Sequence, residues 1–167
     1  MVRFDDVQGV FVDSPGLGVL LFLPYRHLED RVLAAVRAAG HPITLAQARV
    51  FQRVDPGGSR LTTLARSAQV TKQTAGHLVD ELEAAGYLAR TPHPHDARAR
   101  LIRITSRGRE VIAVAAPVQA AIEAEWAAHL GARRMQQLTA ALLALRAITD
   151  PYADDVSQGG VSRRTRD

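Results

Sequence analysis

The sequence contains no cysteine, which excludes disulfide bonds, thiolate metal sites and cysteine-based sensing of oxidants. Aromatic residues are scarce, with one Trp, three Tyr and four Phe among 167 residues. No uninterrupted apolar run approaches the roughly 20 residues of a membrane span, and the run at residues 19–23 stops at Pro24. A signal peptide has a basic segment followed by an apolar one, and the N-terminus does not show this pattern. We therefore expect a cytoplasmic protein that does not contact a membrane.

Basic residues are concentrated in one part of the chain. The formal net charge is +4, yet residues 60–109 carry nine basic and four acidic side chains, or +5, which leaves −1 for the remainder. The nine are Arg60, Arg66, Lys72, Arg90, Arg98, Arg100, Arg103, Arg107 and Arg109. Such a concentration is typical of a surface that binds nucleic-acid phosphates, whereas an evenly solvated surface would not show it.

The same part of the chain has the spacing of two short helices joined by a tight turn. One apolar stripe comprises Leu61, Leu64, Ala65 and Ala68, and the other comprises Ala75, Leu78, Val79 and Leu82. Thr71 is a suitable N-cap for the second helix, and Gly86 is placed to end it. This pattern predicts a helix-turn-helix, whose second helix is of the kind that enters a DNA major groove.

Two strand-like segments follow, at residues 87–90 and 101–105, and the second alternates apolar and polar residues. The segment between them contains two prolines and is mostly polar, so we expect a hairpin with a long basic tip. A hairpin beside a helix-turn-helix is a wing. Together the two predict a winged-helix DNA-binding unit.

Helical patterns flank this unit. They cover residues 17–39, 43–54 with Thr44 as the cap, 105–129 and 133–148. Pro24 is expected to kink the first helix or to mark its true start. The small winged unit has too little core to bury the apolar stripes of the terminal helices, so we expect them to pair with those of a second copy. A two-fold dimer would place its recognition helices ~34 Å apart on a pseudo-palindromic site, and the alternative is a monomer with back-folded helices.

Three segments, residues 64–74, 78–88 and 96–108, resemble the MarR family of bacterial regulators in their order and spacing. The strongest elements are Asp96-x-Arg98 in the wing and Thr105-x-x-Gly108 at the start of the next helix. The similarity is dense over roughly residues 40–112. It implies a winged-helix transcription regulator that forms a homodimer through its terminal helices. No Ser-His-Asp or phosphate-loop pattern appears in the sequence, so we expect no enzymatic activity and no cofactor.

The first turns of the recognition helix supply the candidate DNA contacts. They are Thr71, Lys72, Gln73, Thr74 and His77. Gln reads adenine, Thr contacts a base edge or a phosphate, and Lys acts mainly as a point charge. In the wing, the resemblance implies that Arg98 inserts into the minor groove and that Asp96 keeps the wing in shape. Arg100 alternates in phase with Arg98 and is a candidate phosphate contact.

The chain departs from the family at Gly76-His77, where members often carry Thr-Arg. This departure removes an expected DNA contact, and a glycine in mid-helix costs ~1 kcal/mol relative to Ala. A second hypothesis follows, a winged-helix module for protein contacts that has lost DNA binding. The operator sequence is not predictable from these residues.

The resemblance also implies an effector site between the dimer helices and the winged unit, for a small amphipathic aromatic or carboxylate molecule. The candidate residues are Tyr25, Arg26, His27 and Trp126, with Arg26 pairing an anion. The alternative assigns Trp126 to the dimer core, and Tyr25 and His27 to the interface or the surface. The identity of the effector and the regulated genes are not predictable.

His93-x-His95-Asp96 has a spacing that binds zinc in other proteins. Prolines flank His93 on both sides and no fourth ligand lies nearby, so no metal site is predicted. A small metal-dependent enzyme built on these histidines is the third hypothesis.

The sequence thus predicts a mainly α (α+β) protein, a winged helix-turn-helix with long N- and C-terminal dimerisation helices. Residues 1–16 form a flexible lead, 17–42 and 106–149 the helical dimerisation region, 43–105 the DNA-binding unit and 150–167 a disordered tail. The predicted function is regulation of transcription, as a ligand-released repressor on double-stranded DNA.

Overall fold

The computed structural model describes residues 15–94 and 96–150, and for Ala97 and Arg98 it describes the backbone alone. The elements are α1 (Leu17–Ala38), α2 (Leu45–Phe51), α3 (Leu61–Ser67), α4 (Lys72–Ala84), β1 (Leu88–His93), β2 (Asp96–Ile104), α5 (Ser106–Leu130) and α6 (Ala132–Thr149). The predicted mainly α fold with a small wing is confirmed. Most of the predicted lead and the tail beyond Asp150 lie outside the described residues.

Helices α3 and α4 form the predicted helix-turn-helix. Thr71 is the N-cap of α4, since its hydroxyl accepts a hydrogen bond from the Thr74 amide at 3.0 Å. In the turn before it, Gln69 has a φ of 55°, a left-handed conformation uncommon for a residue other than glycine. Gly86, with a φ of 80°, follows α4 where the sequence predicted the stop.

The wing is an antiparallel ribbon of β1 and β2, paired from Leu88 with Ile104 to His93 with Asp96. The prediction of a long tip is therefore wrong, because only two residues separate the strands. Prolines are tolerated in edge strands and at bulges, and Pro92 lies both in an edge strand and beside a bulge. In the described chain β1 pairs with β2 alone, and the register shifts between Pro92 and His93.

Helix α2 is shorter than the predicted 43–54 span. It begins with a capping box, in which Thr44 Oγ1 accepts from the Gln47 amide at 3.2 Å and Gln47 Oε1 accepts from the Thr44 amide at 2.9 Å. After the helix ends at Phe51, Ser59 forms an isolated antiparallel bridge with Ile102 of β2. The residues after α2 thus lead into the base of the wing and do not extend the helix.

One cluster of buried side chains connects the winged unit to the long helices. It comprises Val36, Ile43, Val50, Phe51, Val54, Leu64, Leu78, Val79, Leu82, Tyr87, Leu88, Ile102 and Val111. The four apolar residues predicted for the inner face of α4 are all buried. The core therefore fixes which face of α4 is left to solvent.

The terminal helices leave much apolar surface exposed in the single chain. Helix α1 continues through Pro24, so the proposal that Pro24 marks its start is wrong. It packs against α5, and α5 packs against α6, which buries none of its own residues. By length and composition α5 is also long and apolar enough to cross a membrane, a test that core helices of soluble proteins pass as well. The large apolar side chains that stay exposed are Leu17, Val19, Leu20, Leu21, Phe22, Leu23, Tyr25, Ile112, Leu138, Leu142, Leu143, Leu145 and Ile148.

The motif Thr105-x-x-Gly108 joins the wing to α5. Thr105 Oγ1 accepts a hydrogen bond from the Gly108 amide at 3.0 Å and lies 2.7 Å from the Gly86 carbonyl, to which it donates. A Cβ atom on Gly108 would lie 2.4 Å from the Tyr87 carbonyl oxygen and 2.7 Å from Cγ2 of Ile104. Glycine is required here because the backbone of the wing approaches so closely.

We expect Gly108→Ala to lower the free energy of unfolding by about 1–3 kcal/mol or more, since the added methyl group must displace backbone. Gly76→Ala is the matched control, because a Cβ there would lie 3.8 Å from Leu61 Cδ2, an ordinary contact. In mid-helix that substitution is expected to raise stability by up to ~1 kcal/mol. Denaturant unfolding measures both changes, and equal effects of the two substitutions would contradict the close approach at Gly108.

Candidate nucleic-acid interface

The recognition helix α4 has a buried face and a polar face. Ala75, Leu78, Val79 and Leu82 are buried in the core. The predicted DNA contacts Thr71, Lys72, Gln73, Thr74 and His77 are all exposed on the other side. Lys72 is also the only lysine of the chain. The first two turns of α4 therefore present a continuous polar surface to solvent.

Within this surface the two threonine hydroxyls contact each other. Thr71 Oγ1 caps the helix and lies 2.8 Å from Thr74 Oγ1. Both threonine hydroxyls are therefore already engaged in hydrogen bonds within the helix. Lys72 and Gln73 are left as the side chains with most freedom to contact a base. His77 Nε2 lies 3.1 Å from Glu81 Oε1, and Glu81 also accepts from Gln47 of α2 at 2.9 Å.

Arg90 of β1 ties the wing to the recognition helix, a role that sequence reasoning missed. Its guanidinium pairs with Asp80 at 2.6 Å and with Glu83, and its backbone amide donates to Glu83 at 2.9 Å. The available signal was the i, i+3 spacing of Asp80 and Glu83, which puts both carboxylates near one face of α4. These pairs set the angle between wing and helix, and they reduce the negative charge of α4.

The three predicted wing residues lie on β2. Asp96 Oδ2 is 3.5 Å from Arg60 Nη2, at the N-cap position of α3, so a wing residue faces the start of the helix-turn-helix. Arg100 is exposed and pairs in register with Pro92. Arg98 occupies the alternate position two residues before Arg100, on the same face of the strand. Its side chain lies outside the described part of the structure, as does His95 of the histidine motif.

A cavity of about 360 Å³ lies between α1, α2 and α5. Its walls are mainly apolar, with Leu28, Val32, Leu33, Val36, Ile43, Phe51, Val54, Ile104, Val111 and Ile112 among them. Its charged or titratable lining residues are Tyr25, Glu29 and Arg49. Pockets of this size and composition bind small apolar molecules with one polar end.

Of the four effector candidates, Tyr25 alone lines this cavity. Arg26 instead pairs with Glu29 at 2.6 Å and with Asp30 at 3.1 Å, both on its own helix. His27 is exposed and Trp126 is half-buried on α5, and neither belongs to the lining. Sequence reasoning missed Glu29 and Arg49, because no local pattern shows that α1 and α2 meet at these positions.

Glu29 is the centre of a polar cluster at one end of the cavity. Its side chain is 9% exposed, and Arg49 pairs with it at 2.7 Å. Hydrogen bonds from Arg49, opposed by burial and assisted by Tyr25 and Arg26, lower the pKa of Glu29 from 4.5 to about 2. The carboxylate is therefore ionised throughout the physiological range.

A second cavity of about 430 Å³ lies on the other side of α2 and reaches the helix-turn-helix. Tyr25 and Arg49 line it as well, together with Gln69 in the turn and Thr74 on the recognition helix. Tyr25 and Arg49 thus stand between the first cavity and the segment that carries the candidate DNA contacts.

The MarR family profile matches residues 41–99, from the end of the first helix to the wing. No curated protein matches the chain. The MarR family protein Rv2887 of Mycobacterium tuberculosis, solved with salicylic acid, is 30% identical over 80% of this chain and 98% of its own, with a TM-score of 0.58. The transcriptional regulator Tm0710 of Thermotoga maritima is 29% identical over 80% of this chain and 93% of its own, with a TM-score of 0.56.

The transcriptional repressor CouR shares the fold at lower identity. Its structure on a 23-mer DNA duplex is 23% identical, covers 87% of this chain and 98% of its own, and has a TM-score of 0.61. CouR from Rhodococcus jostii RHA1 bound to p-coumaroyl-CoA is 24% identical over 83% of this chain and 94% of its own, with a TM-score of 0.65.

The lowered pKa of Glu29 makes stability depend on pH. A carboxylate with a folded pKa of about 2 and an ordinary value of 4.5 stabilises the protein fully above pH 4.5, and this contribution is lost as the pH falls towards 2. We expect Glu29→Gln to destabilise by about 1–2 kcal/mol at pH 7, since water around half-exposed Arg49 screens the pair. Near pH 3 the difference from wild type should shrink.

Denaturant unfolding at pH 7 and pH 3 measures this difference. Glu123→Gln is the control, because that exposed carboxylate accepts its hydrogen bond from an uncharged partner, Gln119, at 3.0 Å. A penalty for Glu29→Gln that is the same at both pH values would show that the ion pairs of Glu29 are not its cause.

Proposed function

Because this chain belongs to the MarR family of transcription regulators, we propose that it is a cytoplasmic repressor that binds a pseudo-palindromic operator as a homodimer and is released by a small effector. The observation that carries the proposal is the exposed polar face of α4, fixed beside a basic wing. Family members regulate transcription and are not enzymes, so the small metal-dependent enzyme built on His93 and His95 is not proposed.

Recognition of the operator is proposed to use both parts of the winged unit. Lys72, Gln73, Thr74 and His77 lie on the exposed side of α4, where a helix seated in the major groove meets base edges. Arg98 and Arg100 share one face of β2, and we assign Arg98 to the minor groove. The structure of CouR bound to a DNA duplex supports this use of the shared fold.

The homodimer is proposed from the exposed apolar surface of the terminal helices. Leu20 and Phe22 of α1 are 50% and 56% exposed, and Leu142 and Leu143 of α6 are 43% and 63% exposed. Contiguous apolar patches of this kind mark interaction surfaces, and a second copy supplies the matching helices with two-fold symmetry.

The cavity between α1, α2 and α5 is the basis for proposing that an effector releases the protein from DNA. Rv2887 was solved with salicylic acid and CouR with p-coumaroyl-CoA, both of which carry an aromatic ring. A molecule that binds more tightly to the conformation unable to span two half-sites lowers DNA affinity by linkage.

We expect Arg98→Ala to weaken binding to the operator by about tenfold, because it removes one charge and one groove contact. Fluorescence anisotropy on genomic DNA fragments across a salt series measures both the affinity and the slope of log affinity against log salt. Arg134→Ala, an exposed arginine on α6, is the matched control and should bind like wild type. Weak, non-selective DNA binding that is unchanged by Arg98→Ala would instead favour the protein-contact module. Gly76-His77 supports that alternative, because this departure from the family removes an expected DNA contact.

Leu142→Glu is expected to convert the dimer into monomers, because it places a charge in the shared apolar surface while leaving the protomer core intact. Gln137→Glu adds the same charge on an exposed polar position of the same helix and should leave the dimer unchanged. Sedimentation velocity gives the oligomeric state of each variant. A monomeric wild type, or a dimeric Leu142→Glu, would contradict the assigned interface.

A further inference from the structure

A chain of polar contacts runs from the start of α2 to the exposed face of the recognition helix. The Thr44 amide donates to Gln47 Oε1 at 2.9 Å, and Gln47 Nε2 donates to Glu81 Oε2 at 2.9 Å. The other carboxylate oxygen, Glu81 Oε1, lies 3.1 Å from His77 Nε2. We call Thr44, Gln47, Glu81 and His77 the cap relay. It ends on one of the candidate DNA contacts of α4.

Chemistry fixes the direction of each hydrogen bond in the cap relay. A backbone amide only donates, so Gln47 must turn its amide oxygen to Thr44 and its NH2 group to Glu81. A carboxylate only accepts, so the nitrogen that faces it, Nε2 of His77, must carry a hydrogen. A neutral imidazole has one N–H group and one acceptor nitrogen. In neutral His77 the acceptor is therefore Nδ1.

The Nδ1 atom of His77 is accessible to DNA. The side chain is 73% exposed, and within the described chain its polar contact is the one to Glu81 alone. His77 lies in the second turn of α4, on the polar face that also carries Lys72 and Gln73. A helix seated in the major groove brings this face against the edges of the bases.

An acceptor in the major groove is complementary to an amino group. Cytosine presents its N4 amino group there and adenine its N6 amino group, whereas guanine presents O6 and N7 and thymine presents O4, all of them acceptors. An acceptor placed against another acceptor leaves both without a hydrogen bond, which is unfavourable for groups removed from water. The state of Nδ1 therefore distinguishes cytosine and adenine from guanine and thymine.

We infer that the cap relay sets the base preference of His77, whose neutral side chain accepts a hydrogen bond from cytosine or adenine, and that Glu81 is its positioning residue. The inference rests on the proposed function, because it requires an operator whose major groove holds α4. It adds one position in each half-site at which cytosine or adenine is preferred on the strand that His77 faces. Residues of α2 then influence specificity through His77.

Glu81→Gln tests the cap relay because it reverses the last hydrogen bond at nearly constant size. The amide oxygen of the new side chain meets the NH2 group of Gln47, which leaves its own NH2 group facing His77. That group only donates, so Nε2 becomes the acceptor and the hydrogen moves to Nδ1. The preferred base should change from cytosine or adenine to guanine or thymine.

The measurement is selection of bound sites from a random duplex library at about pH 8.5, where an ordinary histidine is neutral. Wild type should prefer cytosine or adenine by about twofold to tenfold at one position of each half-site, the range expected for one hydrogen bond. Glu81→Gln should invert this preference, and His77→Ala and Glu81→Ala should remove it, while the other positions keep theirs. Glu123→Gln, the same change on α5, is the matched control and should select the wild-type site.

Nitrogen NMR of the protein with labelled histidine, recorded without DNA at the same pH, identifies the tautomer. The His77 resonances, assigned by their absence in His77→Ala, should show the hydrogen mainly on Nε2 in wild type and mainly on Nδ1 in Glu81→Gln. The same tautomer in both proteins, or a selected site that Glu81→Gln leaves unchanged at every position, would overturn the inference. If wild type selects no site although NMR shows the expected tautomers, operator binding has failed, and the base preference fails with it.

Discussion

The close contact between Tyr87 and the start of α5 is the constraint on which the fold depends. The Tyr87 amide donates to the Leu82 carbonyl at the end of the recognition helix, and its carbonyl accepts from the Thr105 amide after β2. Its ring is buried, in a T-shaped contact with the His41 ring and with the Arg107 guanidinium 4.8 Å from its centre. Recognition helix, wing and α5 therefore meet at one residue, and Gly108 is the position that lets them approach.

This junction has consequences for regulation. The wing and α4 are joined by Arg90 and by backbone hydrogen bonds, so they are expected to move as one unit with the start of α5. Helix α1 contacts the winged unit through Val36 in the buried cluster and through an ion pair between Glu29 and Arg49 at the edge of a cavity. A half-exposed ion pair is easier to rearrange than a packed backbone junction. If an effector acts as proposed, the boundary between α1 and α2 is where we expect it to change the position of the recognition helices.

The sequence predicted what local rules determine. Thr71 and Gly86 fixed the ends of α4 because capping and left-handed termination act over a few residues, and the stripe of Leu78, Val79 and Leu82 identified its inner face correctly. The wing tip was mispredicted because Pro92 was read as a loop residue, although an edge strand with a bulge accommodates it. The sequence did not predict a role for Arg49, because its partner Glu29 lies 20 positions earlier in the chain. Hydrophobic periodicity does not show such a pair.

The wing also solves a problem that has nothing to do with recognition. A two-stranded ribbon that projects from a domain offers unpaired backbone groups along its edges, a template for adding strands from other molecules and hence for aggregation. Pro92 removes one amide from β1, the register shift beside it twists that edge, and Ser59 covers part of the outer edge of β2 through its bridge to Ile102. The arginines along β2 add mutual repulsion between copies. The features that suit the ribbon to a polyanion thus also keep it from pairing with itself.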